Sequence, residues 1–584
     1  MTTISYTSIH INYPSNVDEV KIDDFESDYC GCCDCYNPLS SLIKFTSDPV
    51  PSNITSIYLG AFVDIYPGFF SAGMKKIKFG FRFDKVVEIG VIPESVTYLE
   101  FGFTFNQTII PNSLPKNLIN LTFGDNFNQM ILLNSLPDNI ESIKFGEQFN
   151  QRILPNSLPK NLLYLKFGYF FNQIIDPNIL PNNILTIIFD NDFNQKIELY
   201  SLPEKLTTLK FGYYFNQKIE PNTLPKNLTS LTFGMDYNQT IESSSLPENL
   251  TNLTLGNHFN QKIKPNTLPE NLTSLTFGYA FNQIIKPNIL PENLINLTFG
   301  DHFNQKIKPN TLPGNLTNLK FGYNFNQIVV PNSLPENLTT LKFGDKFNQI
   351  IVPNTLPENL IDLDFGADFN QKIEPNTLPE NLTNLIFRYR FNQKIELNTL
   401  PKNLTTLTFG SHFNQKIEPN ILPKNLTTLT FTFGSHFNQK IEPNTLPDKI
   451  SSLRFGCGFN QPINLTNLPK NLSFLAVTQK YNQPLDPYNL PNYLSSLTIE
   501  CISHVTENFE YIMELSKKMN LIVISKNNEL LSMGSVIAVH MTKKIPSDEY
   551  EIIDEYIHPI YGKIFVTINK NTYIPQSNTK SALK

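Results

Sequence analysis

The residue types able to hold a metal or attack a substrate are few in this chain and fall in two places. Four of its six cysteines, Cys30, Cys32, Cys33 and Cys35, share one short segment. Thiolates that dense are candidate ligands for zinc or Cu(I), but structural zinc sites set C-x₂-C pairs on separate turns, and the adjacent Cys32 and Cys33 match that badly. S-acylation and an incidental loop are the other readings of the cluster. His258, His302, His412 and His436 each stand directly before a Phe. His412 and His436 belong to adjacent copies of the repeat described next, so their rings are expected about 5 Å apart; a metal pair and a solvated loop both stay open. No Asp/Glu pair recurs beside a His or Ser, and no phosphate-cradling Gly-rich loop or nucleophile elbow occurs. No catalytic residue and no cofactor is assigned, and the chain reads as a non-enzyme.

What must position these residues is a repeat. Phe-Asn-Gln recurs from Phe105 to Phe459, with Tyr237 and Tyr481 as variants, in eighteen units; every step is 22 residues except Phe413 to Phe437, which is 24, and a worn copy begins at Phe83. Self-similarity at a fixed period is the mark of a solenoid. The unit from Phe281 to His302 reads FNQIIKPNILPENLINLTFGDH. In the preceding copy Leu275 and Phe277 are two apart, the strand period, so they share a face while Ser274 and Thr276 point away. That predicts one short strand per copy, paired in parallel with its neighbours. Two prolines per unit, such as Pro287 and Pro291, remove backbone donors and force their predecessors extended, which predicts an irregular, polyproline-like or 3₁₀ convex side without α-helices. Gly278 and its equivalents are read as the positive-φ corner that leaves the strand. Phe281 and the other first rings are read as an interior aromatic column, and Asn282 and its copies as a ladder of amides satisfying turn backbone. The extra Phe431-Thr432 in the long unit preserves strand alternation, since two residues do not flip the faces; Leu429, Phe431 and Phe433 are expected to look inward, over a longer strand or local bulge that leaves the stack unbroken.

The phrases FNQ, IxPN, LPxNL and LxFG, at fixed spacing over about Pro51 to Cys501, resemble the FNIP (IP22) repeat of amoebae and of the giant DNA viruses that infect them. The resemblance implies a leucine-rich-repeat-like solenoid. It also implies, for many family members, an N-terminal F-box docking a ubiquitin ligase; residues 1–50 carry no F-box helical pattern, so this adaptor role would have to proceed without a recognisable one.

A solenoid needs covered ends. Residues 1–50, with the cysteine cluster and a worn strand at 37–45, are taken as the N-terminal cap, and 51–501 as the repeats. Residues 502–568 are taken as a small α+β cap or appended domain. It would hold an amphipathic helix over 506–519 and the strand-like NLIVIS, SVIAVHM and KIFVTIN. Residues 569–584 are polar and read as a disordered tail.

The net charge of −6, from 46 basic and 52 acidic residues, does not point to nucleic acid. Nowhere do about 18 apolar residues run together, so no membrane span is expected. With no secretory leader pattern at the start and cysteines unsuited to a disulfide framework, the reading is an intracellular, cytoplasmic protein (host cytoplasm if viral). The recurring sequons, such as Asn227-Leu228-Thr229, follow from the repeat and say little about secretion.

Comparison of copies within the chain separates positions fixed by architecture from free ones. The two residues between strand and next Phe vary most, and carry Tyr169, Tyr213, Tyr279, Tyr323 and Tyr389, whose rings are of the kind enriched at interfaces. The open strand face carries Lys144, Lys166, Lys210, Lys320, Lys342 and Arg454 against Asp362 and Asp364. The convex Lys-Ile-Glu-Pro-Asn, repeated at 372–376, 416–420 and 440–444, looks monotonous. The expected function is a protein-interaction scaffold with an unidentified protein partner, and no small-molecule substrate; a structural or filler array without a dedicated ligand, and the ubiquitin-ligase adaptor, are the alternatives.

Overall fold

The strand-forming phrase of each copy is short because a glycine ends it almost at once, so each repeat adds three or four residues of sheet and then turns. In the computed structural model this is what the chain does. The structure describes residues 50, 52–59, 64–432, 435–477, 480–484 and 487–499, with the strands Glu19–Ile22, Leu521–Ile524, Ile537–His540, Tyr550–His558 and Gly562–Asn569. The cysteines at 30–35, the worn strand at 37–45, Phe433, the helix expected over 506–519 and the tail beyond Asn569 lie outside the described residues. Contacts divide the chain into Met1–Leu294 and Ile295–Lys584.

In the first unit, Glu19–Ile22 pairs with Ser56–Leu59, which pairs with Lys76–Phe79. One strand per repeat then follows to Ser274–Thr276, every pairing parallel. The register sets like on like, with Leu209 against Leu231 and Leu231 against Leu253. The second unit repeats this from Asn296–Thr298 to Ser496–Ile499, with Leu521–Ile524 added in parallel. Ile537–His540, Gly562–Asn569 and Tyr550–His558 then pair antiparallel. Three of these last four strands fall on the strand-like segments of the sequence; Tyr550–His558 was not foreseen. Among the described residues there is no α-helix, and the one 3₁₀ turn is Pro487–Asn489.

The core is a double aromatic column. Within a copy the strand Phe lies face to face with the next first Phe, as for Phe211 and Phe215 at 3.8 Å, and each column repeats along the stack, as for Phe193 and Phe215 at 6.1 Å and Phe211 and Phe233 at 5.7 Å. These rings and the strand leucines are buried. Each fully buried ring contributes roughly 1.5–3 kcal/mol in transfer terms.

Three asparagines per repeat do three different things. The one after the first Phe accepts at Oδ1 from the backbone N–H of its successor and from the following Gln side chain, as Asn260 does from Asn282 (2.9 Å) and Gln283 (3.1 Å). The one before the strand donates from Nδ2 to a carbonyl of the preceding copy, as Asn249 does to Lys226 (2.9 Å). The sequon Asn227 is of this kind, its Nδ2 bonded to the Glu204 carbonyl. The asparagine that usually follows proline takes the left-handed conformation: among the described residues fourteen of the sixteen non-glycine positive-φ positions are this Asn, such as Asn266 at 60°, twelve of them after proline and Asn134 and Asn398 after leucine, with Tyr200 and Ser244 the others. Asn tolerates that region better than other side-chain-bearing residues.

This corrects the reading of Gly278. It does not adopt positive φ; a Cβ on it would lie 1.8 Å from the Gly256 carbonyl oxygen, so the residue is glycine because consecutive turns stack too closely for a side chain. The long unit is also resolved. Its strand, Thr428–Phe431, matches Thr406–Phe409 in register, and Phe431 takes the strand ring's place, 5.6 Å from Phe409 and 5.7 Å from Phe455. Phe431 and Phe437 are six residues apart where Phe409 and Phe413 are four, yet their rings still stack at 4.2 Å and the column continues to Phe459 at 6.1 Å.

Candidate interaction surface

The residues between strand and first Phe form an edge in which each copy leans on the last. The backbone N–H of Tyr214 donates to the Asn191 carbonyl, Asp192 to that of Tyr169, and Asp236 to that of Tyr213, all at 2.9 Å. Their side chains are thereby fixed in order but face outward. Tyr213, Tyr279, Tyr323 and Tyr389 are exposed, whereas Tyr169 is half-buried, edge-on against Phe170 at 4.7 Å. In the first unit Tyr213 meets Tyr214 the same way at 4.8 Å, so two aromatic pairs flank the Asn191-Asp192 copy between them. Phe81 and Phe103 add an exposed stacked pair at 4.6 Å. The charge of Tyr169, then burial, then Tyr213 and Asp192 push the Tyr214 hydroxyl up, which keeps it a donor. In the second unit Lys346 lies over the Tyr323 ring at 5.4 Å, and Tyr389 packs edge-on against His412 at 4.3 Å.

Beside this edge in the first unit the open strand face hollows into a depression of about 580 Å³, lined among others by Lys144, Lys166, Lys210, Tyr164, Tyr213 and Met235. Lys144 and Lys210 are exposed, and Lys166 pairs with Asp190 at 3.2 Å. Asp190 stands where most copies have glycine, and it reaches back to the strand of the copy before. Arg388, another replacement of that glycine, does the same in the second unit: its guanidinium grips Asp364 through two bonds of 2.7 Å. The hydrogen bonds to Asp364 outweigh burial and raise the Arg388 pKa. Asp364 is therefore a buried, neutralised carboxylate rather than the open acidic site expected of the strand face.

The convex side is less monotonous than its sequence suggested. The Lys-Ile-Glu copies neutralise themselves, with Lys372–Glu374 at 3.1 Å and Lys416–Glu418 at 3.0 Å. Two neighbouring copies carry aliphatics in the same places: Ile328, Val330, Ile350 and Val352 are 57, 39, 60 and 44 % exposed. Reading the Phe-Asn-Gln-x-Ile-x columns of the copies against each other would have found this patch. Among the described residues, no group of three or more His, Cys, Asp or Glu could hold a metal, and no helix is long and apolar enough to cross a membrane. His258 sits 3.0 Å from Asp236, and His412 and His436 have ring centroids 5.3 Å apart.

The family model described as FNIP Repeat matches eleven segments between residues 64 and 501. The chain belongs to the FNIP repeat family. A solved structure, the giant-virus protein CroV588, described as a novel circular LRR protein, is similar over 77 % of this chain and 73 % of that one, with 42 % identity and a TM-score of 0.70. No curated protein matches. The solenoid inferred from the periodicity, of the leucine-rich-repeat-like kind that the resemblance implied, is thus the fold of this FNIP repeat chain.

Proposed function

We propose that this FNIP repeat chain is a non-catalytic, intracellular protein-interaction scaffold. Its binding surface is the strand-end edge together with the open strand face of the first unit. The observation that carries this reading is the contrast inside each repeat. The Phe columns and asparagine bonds recur almost unchanged, while the edge beside the Lys144–Lys210 depression carries Tyr169, Phe170, Tyr213, Tyr214 and Met235 in an order no other stretch repeats. Choosing a partner requires such differences. Exposed tyrosines lose little side-chain entropy on binding and dominate interface energetics.

The test is capture of partners on the full chain, followed by direct binding to the purified partner. Replacing Tyr213 and Tyr214 with Ser should weaken that binding at least tenfold per hot-spot ring, about 1.4 kcal/mol, with unfolding unchanged. Binding that survives this but is lost on recharging Lys372, Lys416 and Lys440 to Glu would move the site to the convex side. Failure of any partner to bind with a defined stoichiometry would favour a purely structural array.

A further inference from the structure

We infer that His412 and His436 form a two-imidazole site for a divalent cation of the Zn²⁺, Ni²⁺ or Cu²⁺ class, stapling the 24-residue copy to its neighbour. The two histidines occupy the same place in consecutive copies, and the backbone N–H of His436 donates to the Ser411 carbonyl at 2.6 Å, which locks one turn onto the other. Their rings stand at 85° to each other with centroids 5.3 Å apart. A metal about 2.1 Å from each ring nitrogen lies about 3.2 Å from each ring centre, and at a tetrahedral angle this sets two coordinated imidazoles with centroids about 5.2 Å apart. The centroid spacing is therefore that of two imidazoles sharing one metal.

The tautomer is prepared as well. Nδ1 of His412 lies 3.1 Å from the Tyr389 carbonyl oxygen, an acceptor, so that nitrogen carries the proton and donates. Nε2 keeps its lone pair for a ligand, the arrangement that a backbone carbonyl gives metal-bound histidines. His436 is exposed and its ring is free to turn. His258, by contrast, is engaged by Asp236. Two imidazoles and no carboxylate select late first-row metals over Mg²⁺ or Ca²⁺. With only two protein ligands, the remaining positions belong to water. Bridging adjacent copies, the ion would tie one turn to the next, since binding only the folded form stabilises it by mass action.

The full chain, its His412→Ala and His436→Ala variants and a His258→Ala control should be titrated with Ni²⁺ and Zn²⁺ by calorimetry, with Mg²⁺ as a further control. The cysteine cluster contributes equally to all four proteins, so differences report the histidine pair. One micromolar-range site is expected in the parent and in His258→Ala. It should weaken at least about tenfold in each of the other two, about 1.4 kcal/mol. Hydrogen exchange across residues 428–440 should slow with metal only when both rings are present. His412→Gln and His436→Gln cover the case in which alanine loosens the turn. Equal binding by all the proteins, loss in one variant alone, or saturation by Mg²⁺ would each overturn the proposal.

Discussion

Replacing Asn348 by alanine tests whether the asparagine ladder holds consecutive copies together or merely accompanies their stacking. The Asn348 Oδ1 accepts from the backbone N–H of Asn370 at 2.9 Å and from Nε2 of Gln371 at 3.1 Å. Gln371 has a second acceptor in the Asn348 carbonyl at 3.2 Å, so the alanine variant leaves its amide partly satisfied. The Asn370 N–H has no such reserve, and it lies in a half-buried turn. An orphaned donor of this kind costs about 1–3 kcal/mol, and the lost side-chain bond adds about 0.5–1 kcal/mol. A total of about 1.5–4 kcal/mol should speed exchange of the Asn370 amide by roughly 10- to 800-fold. Because repeats couple mainly to their neighbours, the effect should stay within one or two copies. Mass spectrometry of peptides spanning 366–375 measures it. The chain supplies its own control: in the worn first copy Asp84 fills the same role, accepting from the Asn106 N–H at 2.8 Å and from Gln107 at 3.0 Å. Asn348→Asp should therefore keep most of the protection. Exchange at Asn370 changing less than threefold in the alanine variant, or the aspartate variant behaving like alanine, would refute the ladder as a source of stability.

Gly344→Ala places a Cβ 1.7 Å from the Gly322 carbonyl oxygen. The two turns must separate, so denaturant or thermal melts should show losses above about 2 kcal/mol, against about 1 kcal/mol gained where alanine fits a glycine site. Phe149→Ala opens a cavity between Phe127 and Phe171, each 6.0 Å away. It should cost about 3–5 kcal/mol, with hydrogen exchange rising in the copies either side and hardly elsewhere in that unit. Thr377→Val should stabilise by about 0.5–2 kcal/mol, because its hydroxyl is buried without a partner and Ile289 and Ile421 fill the same place in other copies; a destabilised valine variant in chemical denaturation would show that an internal water serves that hydroxyl.

Strand, ring column and ladder were legible because each follows from a period: Leu275 and Phe277 are two apart, and every copy returns after the same interval. What depended on distances between copies was not. Gly278 and Asn266 have each a turn-forming side-chain type, and sequence offers no way to see which carries positive φ and which lies under a neighbouring carbonyl. The structure assigns the φ to the asparagine and the contact to the glycine. The face-to-face packing of the strand Phe on the first Phe was missed because it joins residues four apart across the turn, outside the strand period. Asp364 read as an exposed acid on the alternation rule, and only the reach of Arg388 from the next copy neutralises it. For the candidate surface, the identity of the strand-end residues was legible, but the half-burial of Tyr169 depended on its packing against Phe170.

The replacements of the repeat glycine explain how such an array can gain new surface without losing its fold. A side chain there conflicts with the stacking of turns, yet Asp190 and Arg388 are accommodated, and each pairs with an opposite charge exactly one copy and two residues back, Lys166 and Asp364. The compensation is local because the rest of the repeat does not depend on that residue: the Phe columns continue past both at 5.2–5.8 Å. The same independence applies to the strand-end pair, whose backbone bonds to the preceding copy use carbonyls and N–H groups that every residue type except proline supplies. Substitution there changes what a partner meets while leaving the ladder intact. A solenoid whose stability resides in the rings and asparagines can therefore vary its edge one copy at a time, which is the property a recognition surface needs and a uniform packing array does not.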